Sequence, residues 1–198
     1  MRIKSIFIAL FAMPVLAWGM PADRCVSFPF LKSGFDMAAY QQCKQSLKAC
    51  ASDRVCIRQA AAKPACTQLD GLAKELDATP DALTASPLKQ FILLKHDYLA
   101  DGQVDYAVIS PKSCVVNPKM YPLNFNTVLR ELRKAKDYYP VVGGEPKLEV
   151  KANGVQSITI PLEVHDICLA CEVLGTANLH IDFTAEGLYI QTQLTPSG

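Results

Sequence analysis

The chain contains no Asn-x-Ser/Thr acceptor for N-glycosylation and no tryptophan beyond Trp18. It has no marked charge of either sign, with 20 Lys+Arg against 19 Asp+Glu. Without a basic surplus a phosphate backbone cannot be neutralised, which argues against nucleic-acid binding. No nucleophile elbow, phosphate-cradling glycine loop or paired-carboxylate motif occurs, so no catalytic residue and no cofactor is assigned. After the first seventeen residues no apolar run approaches the ~20 residues that a membrane span needs.

What is present begins with an export signal. Arg2 and Lys4 precede an apolar run from Ile6 to Ala17, and Ala17-Trp18-Gly19 offers the small residues that a signal peptidase reads. Cleavage is expected between Gly19 and Met20, giving residues 1–19 as the signal. Two of the 20 basic residues leave with it, so the mature chain carries 18 basic against 19 acidic groups and no Trp. Ala22-Asp23-Arg24 before Cys25 lacks the small and aliphatic residues of a lipoprotein processing site. The reading is an exported protein, periplasmic or secreted and bacterial, without stable membrane insertion once the signal is gone.

All eight cysteines survive cleavage. In an oxidising compartment they read first as four disulfides, although eight cysteines allow 105 pairings. Between Ser33 and Leu76 the pattern is helical, and Tyr40, Cys43, Leu47 and Cys50 recur on one face. Asp53 caps a second helix carrying Val55, Cys56 and Ala60, which Pro64 ends or kinks. In such an antiparallel pair Cys50 and Cys56 flank the turn, and Cys43 and Cys66 lie ~10 and ~15 Å from it. The expected bridges are therefore Cys43–Cys66 and Cys50–Cys56. A third helix follows, with Thr67 as cap and Leu69, Leu72, Ala73 and Leu76 inside.

Thr79-Pro80 and Ser86-Pro87 resemble helix starts, and the segment between them is a short helix or a linker. It divides a Cys-rich helical region, 20–78, from an α+β domain, 86–198. Leu88, Phe91, Ile92, Lys95 and Leu99 fit a helix that stops at Asp101-Gly102. Gln103–Ile109 is a strand or a second short helix. Asn126 caps a long helix with Val128, Leu129, Leu132, Ala135 and Tyr139 inside, and a solvated face of Arg130, Glu131, Arg133, Lys134 and Lys136. Four alternating strands then follow. Asn153-Gly154 suits a type I′ turn, and Ala185-Glu186-Gly187 turns the last hairpin. Pro161 suits an edge or a bulge. The fold class is α+β: a disulfide-stapled helical N-terminal region, then a curved antiparallel sheet packed on helices.

This order, with the ending Phe183-Thr184-Ala185-Glu186-Gly187-Leu188-Tyr189-Ile190, resembles the NTF2-like, cystatin-like group over about 86–194. The resemblance implies a cone of sheet and helices that binds a small apolar molecule, catalyses isomerisation or hydration, or mediates assembly. No catalytic motif of that group has a residue-by-residue counterpart here.

The candidate sites come from the chain itself. His96 and Tyr98 would line the mouth of such a cone. Cys168-Leu169-Ala170-Cys171 has dithiol spacing but leaves no room for an activating helix before the next strand. It reads best as a structural disulfide, within the pair or from one member to Cys114. His165, Cys168 and Cys171, with Cys114 as a fourth, form a weaker zinc set. His180 and Asp182 share a polar strand face, with Glu163 and His165 on that of another strand, a group that could hold a metal or act as acid and base. The leading function is a non-catalytic binding or interaction protein whose partner is a protein or a small apolar ligand. The alternatives are a small cone-fold enzyme acting on an apolar metabolite and a thiol–disulfide protein using Cys168 and Cys171.

Overall fold

The computed structural model describes residues 25–98, 103–118, 138–166, 168 and 170–197. Among the described residues three α-helices follow a short first strand: α1 (Met37–Lys48), α2 (Arg54–Ala61) and α3 (Thr67–Glu75). Asp36 caps α1 by accepting from the N–H groups of Ala38 and Ala39, and Asp53 caps α2 through those of Val55 and Cys56. Tyr40, Cys43 and Leu47 form the buried stripe of α1. Cys50–Cys56 bridges the turn, and Cys43–Cys66 ties α1 to the segment before α3. A helical α2 running past Pro64 would have carried Cys66 too far along α1. Instead α2 ends at Ala61, and a 3₁₀ turn at Pro64–Cys66 swings Cys66 back to a Cα–Cα distance of 4.9 Å from Cys43.

A helix is expected over Leu88–Leu99, but its described residues belong to a hairpin. β2 (Leu83–Leu88) pairs antiparallel with β3 (Phe91–Asp97) across Lys89, which takes a φ of 54°. Ser86-Pro87 lies inside β2 and starts no helix. β4 (Val104–Ile109), β5 (Cys114–Val116) and β1 (Val26–Ser27) complete a five-stranded antiparallel sheet of order β1-β5-β4-β3-β2. The difference has a physical cause. Leu94 and Ile92 face the helices while Phe91 and Leu93 face a second sheet. A strand buried on both faces is a continuous apolar run, without the alternation that marks a half-buried one.

The second sheet holds β6 (Tyr138–Val142), β7 (Lys147–Val150), β8 (Gln156–Asp166), β9 (Val173–Phe183) and β10 (Tyr189–Pro196). Its order is β10-β9-β8-β6, with β7 also on β8. The long helix expected from Asn126 lies outside the described residues, except that Tyr139, placed on its inner face, belongs to β6. The α+β class holds, with two sheets. The layers run helices, first sheet, second sheet. One core joins Leu47, Leu69 and Leu72 to Leu83, Leu94 and Ile109, and another joins Phe91, Leu93 and Val108 to Ile158, Ile160 and Phe183.

Two turn and edge expectations, at Pro161 and at Asn153-Gly154, are met differently in the structure. Pro161 sits in the central strand β8, where β7 partners residues up to Thr159 and β6 begins at Leu162. Its carbonyl accepts from Gly143 N–H at the gap, so the missing proline donor costs no ladder bond there. Asn153-Gly154 does not form a type I′ turn, because only Gly154 takes a positive φ (81°). Gly154 N–H bonds Lys151 C=O and Lys151 N–H bonds Val155 C=O, a three-residue loop that ends in a left-handed residue. The outer edge of β2 is closed against pairing. Ala85 N–H donates to Tyr40 Oη (2.9 Å), Lys44 Nζ donates to Leu83 C=O (2.9 Å), and Pro87 has no donor.

Candidate functional site

Four places bring polar chemistry together. The first surrounds His96 and Tyr98, near the end of β3 and on its helix-facing side. Their rings pack at 4.1 Å, and Asp105 lies opposite His96 in the β3–β4 register. With Leu76, Leu94, Ala107 and Asn117 they line a cavity of about 10 Å³. That holds about one water molecule and no metabolite. The pair does not stand at the mouth of a cone. The layer between the sheets is filled by side chains, with the Phe91 and Phe183 rings 4.7 Å apart.

The second place is the polar face of the second sheet. Cross-strand register sets Ser157, Asp182 and Gln191 side by side on β8, β9 and β10. Asp182 is only 2% exposed, and both its oxygens accept from Lys151 Nζ at 3.1 Å, with Gln191 Nε2 at 3.0 Å from Oδ2. Burial opposes its ionisation, but Ser157, Gln191 and Lys151 outweigh that and hold the carboxyl below its ordinary value. His180 bridges two hydroxyls, Thr159 Oγ1 at Nδ1 (3.0 Å) and Thr195 Oγ1 at Nε2 (2.8 Å). Burial, aided by Lys151, lowers its pKa against the pull of Asp182 and Glu149. Alternation placed His180 and Asp182 on this face. It did not indicate that Lys151, from the hairpin loop, would close over the carboxylate.

The third place is the β8–β9 turn. Cys168 and Cys171 are bridged to each other, and Cys114 is bridged to Cys25. Sulfurs joined in disulfides are not thiolate ligands. His165 lies six residues along β8 from Thr159, the register partner of His180, roughly 20 Å away at strand rise. The proposed ligands thus fall at two separate places. Among the described residues no group of three His, Cys, Asp or Glu is set to hold a metal ion. His165 itself is 7% exposed, with Nδ1 3.2 Å from the Cys171 carbonyl and Nε2 3.4 Å from Glu163 Oε2.

No family model, curated protein or solved structure matches the chain.

The fourth place was not singled out in the sequence. α2, α3 and the Thr79–Asp81 segment enclose an open groove on the helical layer. Its lining combines the apolar Ile57, Ala61, Ala62 and Pro80 with Arg54, Arg58 and Lys74 and the carboxylates of Asp70 and Asp81. A shallower recess at the end of α1 adjoins it through Ala51 and Asp81, adding Lys44 and Lys48. Together they present five cations against two carboxylates. Lys74 is paired with Asp70 at 2.6 Å, whereas Arg54 and Arg58 stand one helical turn apart and exposed. The signal was in α2 itself, where Arg54, Ile57, Arg58 and Ala61 repeat at three- and four-residue steps.

Proposed function

We propose that this is an exported, disulfide-stabilised interaction protein that docks an acidic protein segment in the groove of its helical layer. The observation that carries the reading is that groove, lined by aliphatic side chains and two exposed arginines on a chain that is otherwise near neutral. Arginine forks suit carboxylates, and apolar floors suit the aliphatic side chains between them. Four disulfides support an oxidising compartment, and no helix among the described residues is long and apolar enough to cross a membrane. The reading as a binder of small apolar molecules or a cone-fold enzyme has less to support it, since the space between the sheets is occupied by core side chains.

The test is an array of peptides that alternate aliphatic residues with acidic, neutral or basic ones, probed with the mature chain. Acidic peptides should be retained, and retention should fall several-fold as salt screens the arginines. An Arg54→Glu, Arg58→Glu chain should lose them while keeping its far-UV signal. Equal binding of neutral peptides, or unchanged binding by the double variant, would refute the groove.

A further inference from the structure

We infer that Cys168–Cys171 is a thiol-exchange site, opened and reclosed by external thiols without unfolding of the chain. Three independent observations point to it. The first is access. Cys43 and Cys66 are fully buried, Cys50 and Cys114 are 7% exposed, and Cys25 and Cys56 are partly covered. Cys168 is the exposed half-cystine of the eight.

The second is redundancy. The bridge closes over two residues at the tip of a hairpin whose strands are each 11 residues long. The backbone already closes that tip. Asp166 N–H donates to Glu172 C=O (2.9 Å), Cys171 N–H donates to Cys168 C=O (3.1 Å), and Cys168 N–H donates to Asp166 C=O. A disulfide here adds little that the ladder does not already supply, because a short loop has little closure entropy to lose. The other three bridges tie separate elements: strand to strand, helix to helix start, helix end to helix.

The third is support from the buried side of the turn. His165 meets the Cys171 carbonyl at 3.2 Å from a side chain that is itself buried, so the Cys171 backbone is anchored while Cys168 is exposed. An exposed half-cystine bonded to an anchored one is the arrangement in which one sulfur is attacked and the other leaves.

The exchange balances with a small thiol as reductant. A thiolate RS⁻ attacks Sγ of Cys168, the Sγ–Sγ bond breaks, and Cys171 leaves as a thiolate that takes a proton from water. A second RS⁻ attacks the RS sulfur of the mixed disulfide, releasing RSSR and the Cys168 thiolate, which is protonated in turn. In sum, two RSH and the bridge give RSSR and two protein thiols. A disulfide RSSR runs the same steps backward.

The full mature chain, titrated with dithiothreitol under native conditions and then alkylated for mass spectrometry, tests this. Cys168 and Cys171 should label before the other six cysteines, with the far-UV signal unchanged. A Cys171→Ser chain given oxidised glutathione should carry one glutathione, on Cys168. A Cys168→Ser, Cys171→Ser chain should keep its fold and lose the early labelling. Opening of another bridge first, unfolding in step with the opening of Cys168–Cys171, or no adduct on Cys168 in the Cys171→Ser chain would each overturn the inference.

Discussion

At the scale of single residues, His180 and Asp182 couple this protein to acid. His180 is held neutral chiefly by burial, so its folded-state pKa lies below its ordinary value near 6.5. Below that value the unfolded chain binds a proton that the folded chain resists, and stability falls. Its contribution is complete above about pH 6.5 and declines as pH drops toward the lower folded-state value. Asp182 shifts the same way for a different reason, since its partners favour the charged form over burial. Its contribution is present above its ordinary 3.8 and is lost as pH falls through the folded-state value. Urea titrations at about pH 7.5 and about pH 5.5 should show lower stability at the acid value, and His180→Asn should shrink that difference. An unchanged difference in the variant would remove His180 from the acid response.

At the scale of elements, the two hairpin loops of the second sheet make a controlled comparison. Gly154 and Gly187 both take a φ of 81° and both close three-residue loops. An added Cβ at Gly154 meets nothing within 4 Å, but at Gly187 it would stand 2.5 Å from Cδ of Pro111 in the first sheet's β4–β5 turn. Gly154→Ala should cost about 1–2 kcal/mol for the left-handed conformation alone. Gly187→Ala should cost that plus a displacement of Pro111, about 1–3 kcal/mol more. Equal losses in chemical denaturation would mean that the two sheets do not meet tightly at this point. The Gly in each turn was legible from its place between alternating strands. The Pro111 contact was not, because it joins residues 76 positions apart. Local pattern also failed at Phe91–Leu94. A run wet on neither face carries no period, and only its flanking turn residues distinguish strand from helix.

At the scale of the whole molecule, Cys25–Cys114 joins the first described residue to β5 across 89 positions. The chain-entropy account assigns about 4–5 kcal/mol to a loop of that length and about 2 kcal/mol to Cys168–Cys171. A Cys25→Ser, Cys114→Ser chain should therefore lose far more in thermal or urea unfolding than a Cys168→Ser, Cys171→Ser chain. The reverse order would show that the N-terminal strand is held by packing rather than by its bridge. Cys25 and Cys114 carried no spacing relation in the sequence. Their meeting depends on β1 pairing with β5, a contact that exists only once the first sheet is assembled.

The sequence by itself determined what depends on neighbours along the chain. Asp53 caps a helix because Val55 and Cys56 are next to it, Cys50 meets Cys56 across a short turn, and β8 to β10 alternate because one face is wet. Tertiary structure decided what depends on enclosure. The same Phe91-Ile92-Leu93-Leu94 run is a strand because two layers cover it, Asp182 is buried because Lys151 folds over it, and a groove exists because α2, α3 and the Thr79–Asp81 segment meet around it. Burial is a property of what arrives from far along the chain. It is also what sets pKa values, fills the space between the sheets and leaves one disulfide open to water.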